Sequence, residues 1–171
     1  MVPNESAELP GSHNDLGAPL LAIYNTAKRW LTTTINYDVV LYDHAILIVR
    51  GLSWRDMRQE MQRRKKEATR AGDSGGLAAR TAGANAYRSA IIATTPVTAI
   101  LAADPGNRLV PYEEIESAAL RRRLGSCTLK LRLTDGTRLK FIWLNSRSLN
   151  ADYDDVTRTL TDLLTDRFRA S

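Results

Sequence analysis

Glu113, Glu114 and Glu116 are close enough together to serve as paired carboxylates, the arrangement used for general acid and base work. That chemistry also needs a cleft, and surroundings that push the two carboxyl pKa values apart. An acidic edge, or counter-charges for nearby cations, is the simpler role for these glutamates, and only a deep cleft lined by Tyr112 with Glu113 or Glu116 revives an enzyme. His13 and His44 have no His or Cys at ligand spacing, so no metal site is expected and His44 reads as a turn residue. Gly72, Gly75 and Gly76 follow no strand and lack the Lys-Ser/Thr of a phosphate loop. No nucleophile elbow or Ser/His/Asp set is present. The single Cys127 reads as a small buried hydrophobe rather than a nucleophile. The expectation is a non-enzymatic chain with no catalytic residues and no cofactor.

The cations are more informative. Residues 121 to 140 carry seven basic side chains and one acidic, net +6, and residues 54 to 70 carry seven basic and three acidic, net +4. The whole chain is only +5, so the rest is acidic. Arg121, Arg122, Arg123, Lys130, Arg132, Arg138 and Lys140 are therefore the candidate anion-binding residues, suited to phosphates of lipid or nucleic acid. Solvated surface charge is the commoner cause of such clusters. A single-strand binder also needs outward aromatic platforms, and Phe141 and Trp143 are expected to point inward.

A hairpin must position these cations. Leu129, Leu131 and Leu133 alternate with Thr128, Lys130 and Arg132, and Leu139, Phe141 and Trp143 alternate with Arg138, Lys140 and Ile142, the period of strands with one buried face. A two-residue Asp135-Gly136 loop sets apolar rows against charged ones. A three-residue loop, Thr134-Asp135-Gly136 with Gly136 left-handed, pairs Leu131 with Leu139, Leu129 with Phe141 and Cys127 with Trp143. On the other face it sets Arg132 opposite Arg138 and Lys130 opposite Lys140. Like charges across a ladder repel, so Glu114, Glu116 or an anion must relieve them.

Residues 1–18 show no period and are expected to form a flexible tail, followed by one domain over 19–171. Leu20, Ile23, Tyr24, Ala27, Trp30 and Leu31 recur at three- and four-residue intervals, which predicts a helix from Pro19, ended by Thr32 to Thr34. Strands 35–42 and 45–50 form a hairpin about Asp43-His44, pairing Leu41 with Ile46 and Val39 with Ile48. Its other face, with Val40 opposite Leu47, is also apolar, so it is either covered or part of a subunit contact. A helical insertion is expected at about 53–93: one helix after Ser53 with a stripe of Trp54, Met57, Met61 and Ala68, a Gly-rich break at 71–76, then a helix over 77–93 with Ala84, Tyr87 and Ile91 in phase. Thr95 is expected to cap a short helix, 96–103, that Asp104-Pro-Gly-Asn107 ends. Short strands follow at 108–110 and 115–123. After the hairpin, Asn150 is expected to cap a closing helix with the stripe Tyr153, Val156, Leu160, Leu163, Leu164 and Phe168, with Arg167 and Arg169 at its negative end.

The order of short helix, Asp-Pro-Gly-Asn turn, Val-Pro-Tyr-Glu-Glu-Ile, charged strand, Asp-Gly hairpin, aromatic strand and closing helix resembles the bacterial pleckstrin-homology-like (PH-like) domains. The resemblance spans roughly 35–50 and 94–169. It implies an α+β fold, an antiparallel β-sandwich or barrel closed by a C-terminal helix, here with the helical insertion and with six strands counted where that superfold has seven. It implies a binding or self-associating module. No phosphoinositide motif of the superfold maps onto these residues.

The expected function is thus protein contact or self-association, with Val40, Leu47, Trp54, Met57 and Met61 as interaction candidates and a homo-oligomer as one form. The alternative is anion recognition through the basic sheet face. Apolar runs too short to span a bilayer, and a start that lacks signal-peptide character, place the chain in the cytoplasm, with a peripheral membrane position open to it.

Overall fold

The structure, a computed structural model, describes residues 16–30, 33–50, 62–63, 77–145 and 150–171. It is α+β, with strands β1 (Leu21–Trp30), β2 (Thr33–Leu41), β3 (Ala45–Arg50), β4 (Arg108–Pro111), β5 (Ile115–Arg123), β6 (Ser126–Leu133), β7 (Arg138–Leu144) and β8 (Phe168–Ala170). Helices α1 (Leu77–Thr94) and α2 (Val97–Ala103) lie between β3 and β4, and α3 (Tyr153–Leu164) precedes β8. The strand order is β4-β3-β2-β1-β7-β6-β5-β8. The β1–β7 junction has one register pair, Ala27 with Ile142, so the strands form two sheets joined at a narrow seam.

Both hairpins fold in the register that the apolar rows demand. Leu41 faces Ile46 and Val39 faces Ile48 in the first, and Cys127 faces Trp143, Leu129 faces Phe141 and Leu131 faces Leu139 in the second. Gly136, at φ +83°, supplies the left-handed turn residue, and Leu133 exchanges backbone hydrogen bonds across the three-residue loop. The inward rows of both sheets and the stripe Val156, Leu160 and Leu164 of α3 share one core, in which Tyr37 and Phe141 meet edge to face at 6.3 Å between centroids. Cys127 is fully buried there, and burial pushes its thiol pKa up.

A second apolar cluster lies on the opposite side of β2 and β3. Val40, Tyr42 and Leu47 pack there against Ile92 of α1 and Val97 and Ile100 of α2. Val40 and Leu47 are 2% and 0% exposed, so the apolar outer face of this hairpin is covered within the chain, and neither residue is free to contact another copy. Arg88 of α1 is buried against Asp38 of β2 at 3.3 Å. Tyr24 lies close by, its hydroxyl pKa raised by burial against the opposing hydrogen bond with Ser89.

Several sequence expectations are corrected. The stretch from Leu21 to Trp30 is a strand, not a helix: a register shift between Ile23 and Thr26 breaks the alternation, and the shifted apolar positions mimic helical spacing. Phe168 and Arg169 belong to β8, which runs parallel to β5, not to the closing helix. With these two, the described residues hold eight strands where six were expected. The helix stops at Leu164 because Thr165 takes φ +48°, and the following 3-10 turn aims Arg167 so that its Nη1 donates to the carbonyls of Tyr112 and Ile115 at 2.8 and 3.0 Å. Asp152, not Asn150, caps α3, its carboxylate accepting from the Asp155 backbone N–H. Asn150 instead bonds the backbone N–H and carbonyl of Tyr24 beside the β1 irregularity. Pro96 holds the N-cap position of α2 with no side-chain cap. On α1 the buried side is Arg88 and Ile92, while Tyr87 and Ile91 face outward. Of the helix expected after Ser53 only residues 62–63, which are helical, are described; its stripe of Trp54, Met57, Met61 and Ala68, the Gly-rich break and nearly all of the expected tail lie outside the described residues.

Candidate functional site

The alternation that buries Ala118 and Leu120 of β5 turns Ala119, Arg121 and Arg123 to the opposite, outer face. Pairing with β6 and β7 then builds four rows across that face: Ser117, Arg132 and Arg138; Ala119, Lys130 and Lys140; Arg121, Thr128 and Ile142; Arg123, Ser126 and Leu144. Directly facing side chains on such a ladder stand about 5 Å apart at Cβ. Six of the seven candidate cations therefore share one surface, and four of them, Arg121, Arg123, Lys130 and Lys140, line a single depression of about 360 Å³ with the Ser126 and Thr128 hydroxyls.

The seventh leaves the group. Arg122 is in register with buried Cys127, on the inward side of β5, and its guanidinium lies 5.9 Å from the Tyr153 ring centre. With Asn145, Asp152, Tyr153 and Asp154 it lines a separate polar depression of about 260 Å³. Three consecutive arginines on a strand cannot share a face, so the run at 121 to 123 is divided two to one.

The repulsion within the rows is relieved at one point. Glu116, beside the irregularity between Ile115 and Ser117, pairs with Arg132 at 2.7 Å. Among the described residues no carboxylate pairs with Arg121, Arg123, Lys130, Arg138 or Lys140. Lys130 faces Lys140 in the depression, whose lining includes Ser171 and holds no acidic side chain.

No protein-family model and no curated protein matches the chain.

The other candidate chemistry is not assembled. The Tyr112 hydroxyl is buried and donates to the Tyr42 carbonyl at 2.8 Å, with burial raising its pKa, while the Glu116 carboxylate is held by Arg132. His44 sits in the exposed β2–β3 turn, and its backbone carbonyl accepts from the Tyr112 N–H. No group of three or more His, Cys, Asp and Glu is gathered among the described residues. No single described helix is long and apolar enough to cross a membrane; the bent α1–α2 pair, apolar enough in composition, is seated on β2 and β3.

The sequence places Thr128 and Ile142 in the outer rows, but the non-cationic members of that face are not among the candidate site residues. Ser126, Thr128, Ile142 and Leu144 follow from the same alternation as the lysines, so their place was legible. Leu124 was legible too: it precedes Gly125 in the two-residue β5–β6 turn, where a side chain has nothing to pack against, and it is fully exposed at 106%.

Proposed function

We propose that this chain is a non-enzymatic binding module with a PH-like core whose basic β5–β7 face receives a phosphate-bearing partner. The PH-like reading draws on two joined sheets with α3 packed into their shared core. The single observation that carries the anion reading is the facing Lys130–Lys140 pair, with no ion-pair partner among the described residues, in a depression also lined by Arg121 and Arg123. Like charges held this close on a rigid ladder raise the energy of the empty face, and an anion bridging them removes that cost. Hydroxyls at Ser126 and Thr128 add neutral donors for phosphate oxygens.

The test is retention of the chain on inorganic polyphosphate across a salt series, beside a variant with Arg121→Ala, Arg123→Ala, Lys130→Ala and Lys140→Ala. Wild-type retention is expected to fall steeply with salt and the variant to flow through. Equal retention of the two refutes this assignment of the face.

A contact with protein or with a second copy is the other reading, and Tyr87 and Ile91, side by side on the outward face of α1 at 45% and 44% exposure, favour it. Sedimentation of Ile91→Glu beside wild type tests it: an assembly lost in the variant supports this contact, and identical monomeric profiles rule it out.

A further inference from the structure

We infer that the partner of the β5–β7 face is an anionic lipid surface, with Leu124 and Leu144 entering its interfacial layer; this rests on the anion reading above. At the β5–β6 end of the basic face, two leucines stand in water. Leu124 is at the turn tip, directly after Arg123, and Leu144, 65% exposed, shares the outer row of Arg123 and Ser126. The Asn145 N–H bonds the Gly125 carbonyl at 3.0 Å and fixes the end of β7 beside the turn, so the two leucines are held at the same end of the sheet. Ile142, half-buried in the next row, continues the apolar edge toward Lys140.

Apolar tips beside cations fit a membrane better than they fit a nucleic acid. Leucines gain by leaving water for the acyl boundary, while Arg121 and Arg123 remain at headgroup depth, where anionic phosphates lie. A nucleic acid would meet the same cations but offers the leucines no comparable layer, and single-strand binding needs outward aromatic rings. The aromatic side chains of β7, Phe141 and Trp143, are both buried in the core. The surface is also built to stay in place: the face is hydrogen-bonded sheet, backed by the core rows Leu129–Phe141 and Leu131–Leu139.

Flotation with phosphatidylcholine vesicles, with and without phosphatidylglycerol, tests the inference alongside calorimetric binding of inorganic polyphosphate. Wild type is expected on the phosphatidylglycerol vesicles and not on the neutral ones. Leu124→Ser with Leu144→Ser is expected to weaken vesicle binding about tenfold, the loss of two partly inserted leucines, with polyphosphate affinity unchanged. Because both side chains are exposed, these changes leave nothing unpacked. Lys130→Ala with Lys140→Ala is expected to weaken both ligands, by about fivefold per cation on vesicles. Vesicle binding unchanged in the leucine variant, or absent while polyphosphate still binds, overturns the lipid assignment and leaves the anion reading standing. Tighter binding to duplex DNA than to the anionic vesicles overturns it in favour of nucleic acid. Failure of wild type to bind polyphosphate and vesicles alike removes the anion reading itself.

Discussion

The outer face of β2 and β3 and the outer face of β5 to β7 are both the back of the same core, yet they are finished in opposite ways. On the first, Val40, Tyr42 and Leu47 are apolar and the chain spends α1 and α2 to cover them. On the second, cations and small hydroxyls occupy the equivalent alternate positions and the described residues leave them open. The contrast teaches where a partner has room to bind. An apolar face already satisfied from within has no need of one, whereas a face on which Lys130 and Lys140 repel each other with no ion-pair partner among the described residues has a standing electrostatic reason to take one.

Breaking the covered face should have the largest effect. Asp38→Ala removes the buried carboxylate 3.3 Å from Arg88 and is expected to cost about 3–5 kcal/mol in denaturant unfolding, the range for breaking a buried ion pair. A cost below about 1 kcal/mol would show that the pair does not seat α1. Leu47→Ala follows at about 2–5 kcal/mol, since a cavity opens between the sheet and the helices. Thr165→Gly is expected to stabilise by about 1 kcal/mol, because a β-branched residue at φ +48° holds the strained turn that feeds β8.

Changes on the open face should barely register in stability, and with the reverse sign. Lys140→Ala is expected to be neutral or stabilising by up to about 0.5 kcal/mol, as it removes a like charge facing Lys130. Added salt should stabilise wild type more than this variant, because only wild type has that repulsion to screen. Glu116→Ala should work the other way and cost less than about 1 kcal/mol, since its pair with Arg132 is solvent-exposed. The smallest effect is one of pH. The Asp135 carboxyl is held below its ordinary value by the Thr137 backbone N–H, then the Thr137 hydroxyl, and further by Arg108. A carboxyl lowered in the folded state contributes above its unfolded pKa, and that contribution fades as pH falls through the folded value. Asp135→Asn should therefore flatten the acid limb of the stability profile slightly.

The sequence made the basic face legible where side-chain alternation was uninterrupted. The rows from Cys127 to Trp143 follow from requiring apolar residues to coincide, while the relieving charge is left open between Glu114, Glu116 and an anion until the structure pairs Glu116 with Arg132. Legibility ended where the backbone departs from a simple period. The β1 irregularity disguised a strand as a helix, and Thr165 turned what reads as a last helical turn into a parallel edge strand, which no apolar spacing can announce. Arg122 was grouped with its neighbours because charge was counted along the chain rather than by face. Val40 and Leu47 showed an apolar surface without showing what covers it, since the covering helices lie about fifty residues away in sequence.

Whether the partner meets the open face and not the covered one is decided by amide chemical-shift mapping during a titration with inorganic polyphosphate. Shifts are expected to concentrate at Ala119, Arg121, Arg123, Ser126, Thr128, Lys130, Lys140, Ile142 and Ser171, the lining of the β5–β7 depression, while Val40, Leu47 and Ile92 stay unmoved. Shifts centred on α1, or on the Arg122 and Tyr153 depression with the Lys130–Lys140 row silent, would contradict binding at the open face.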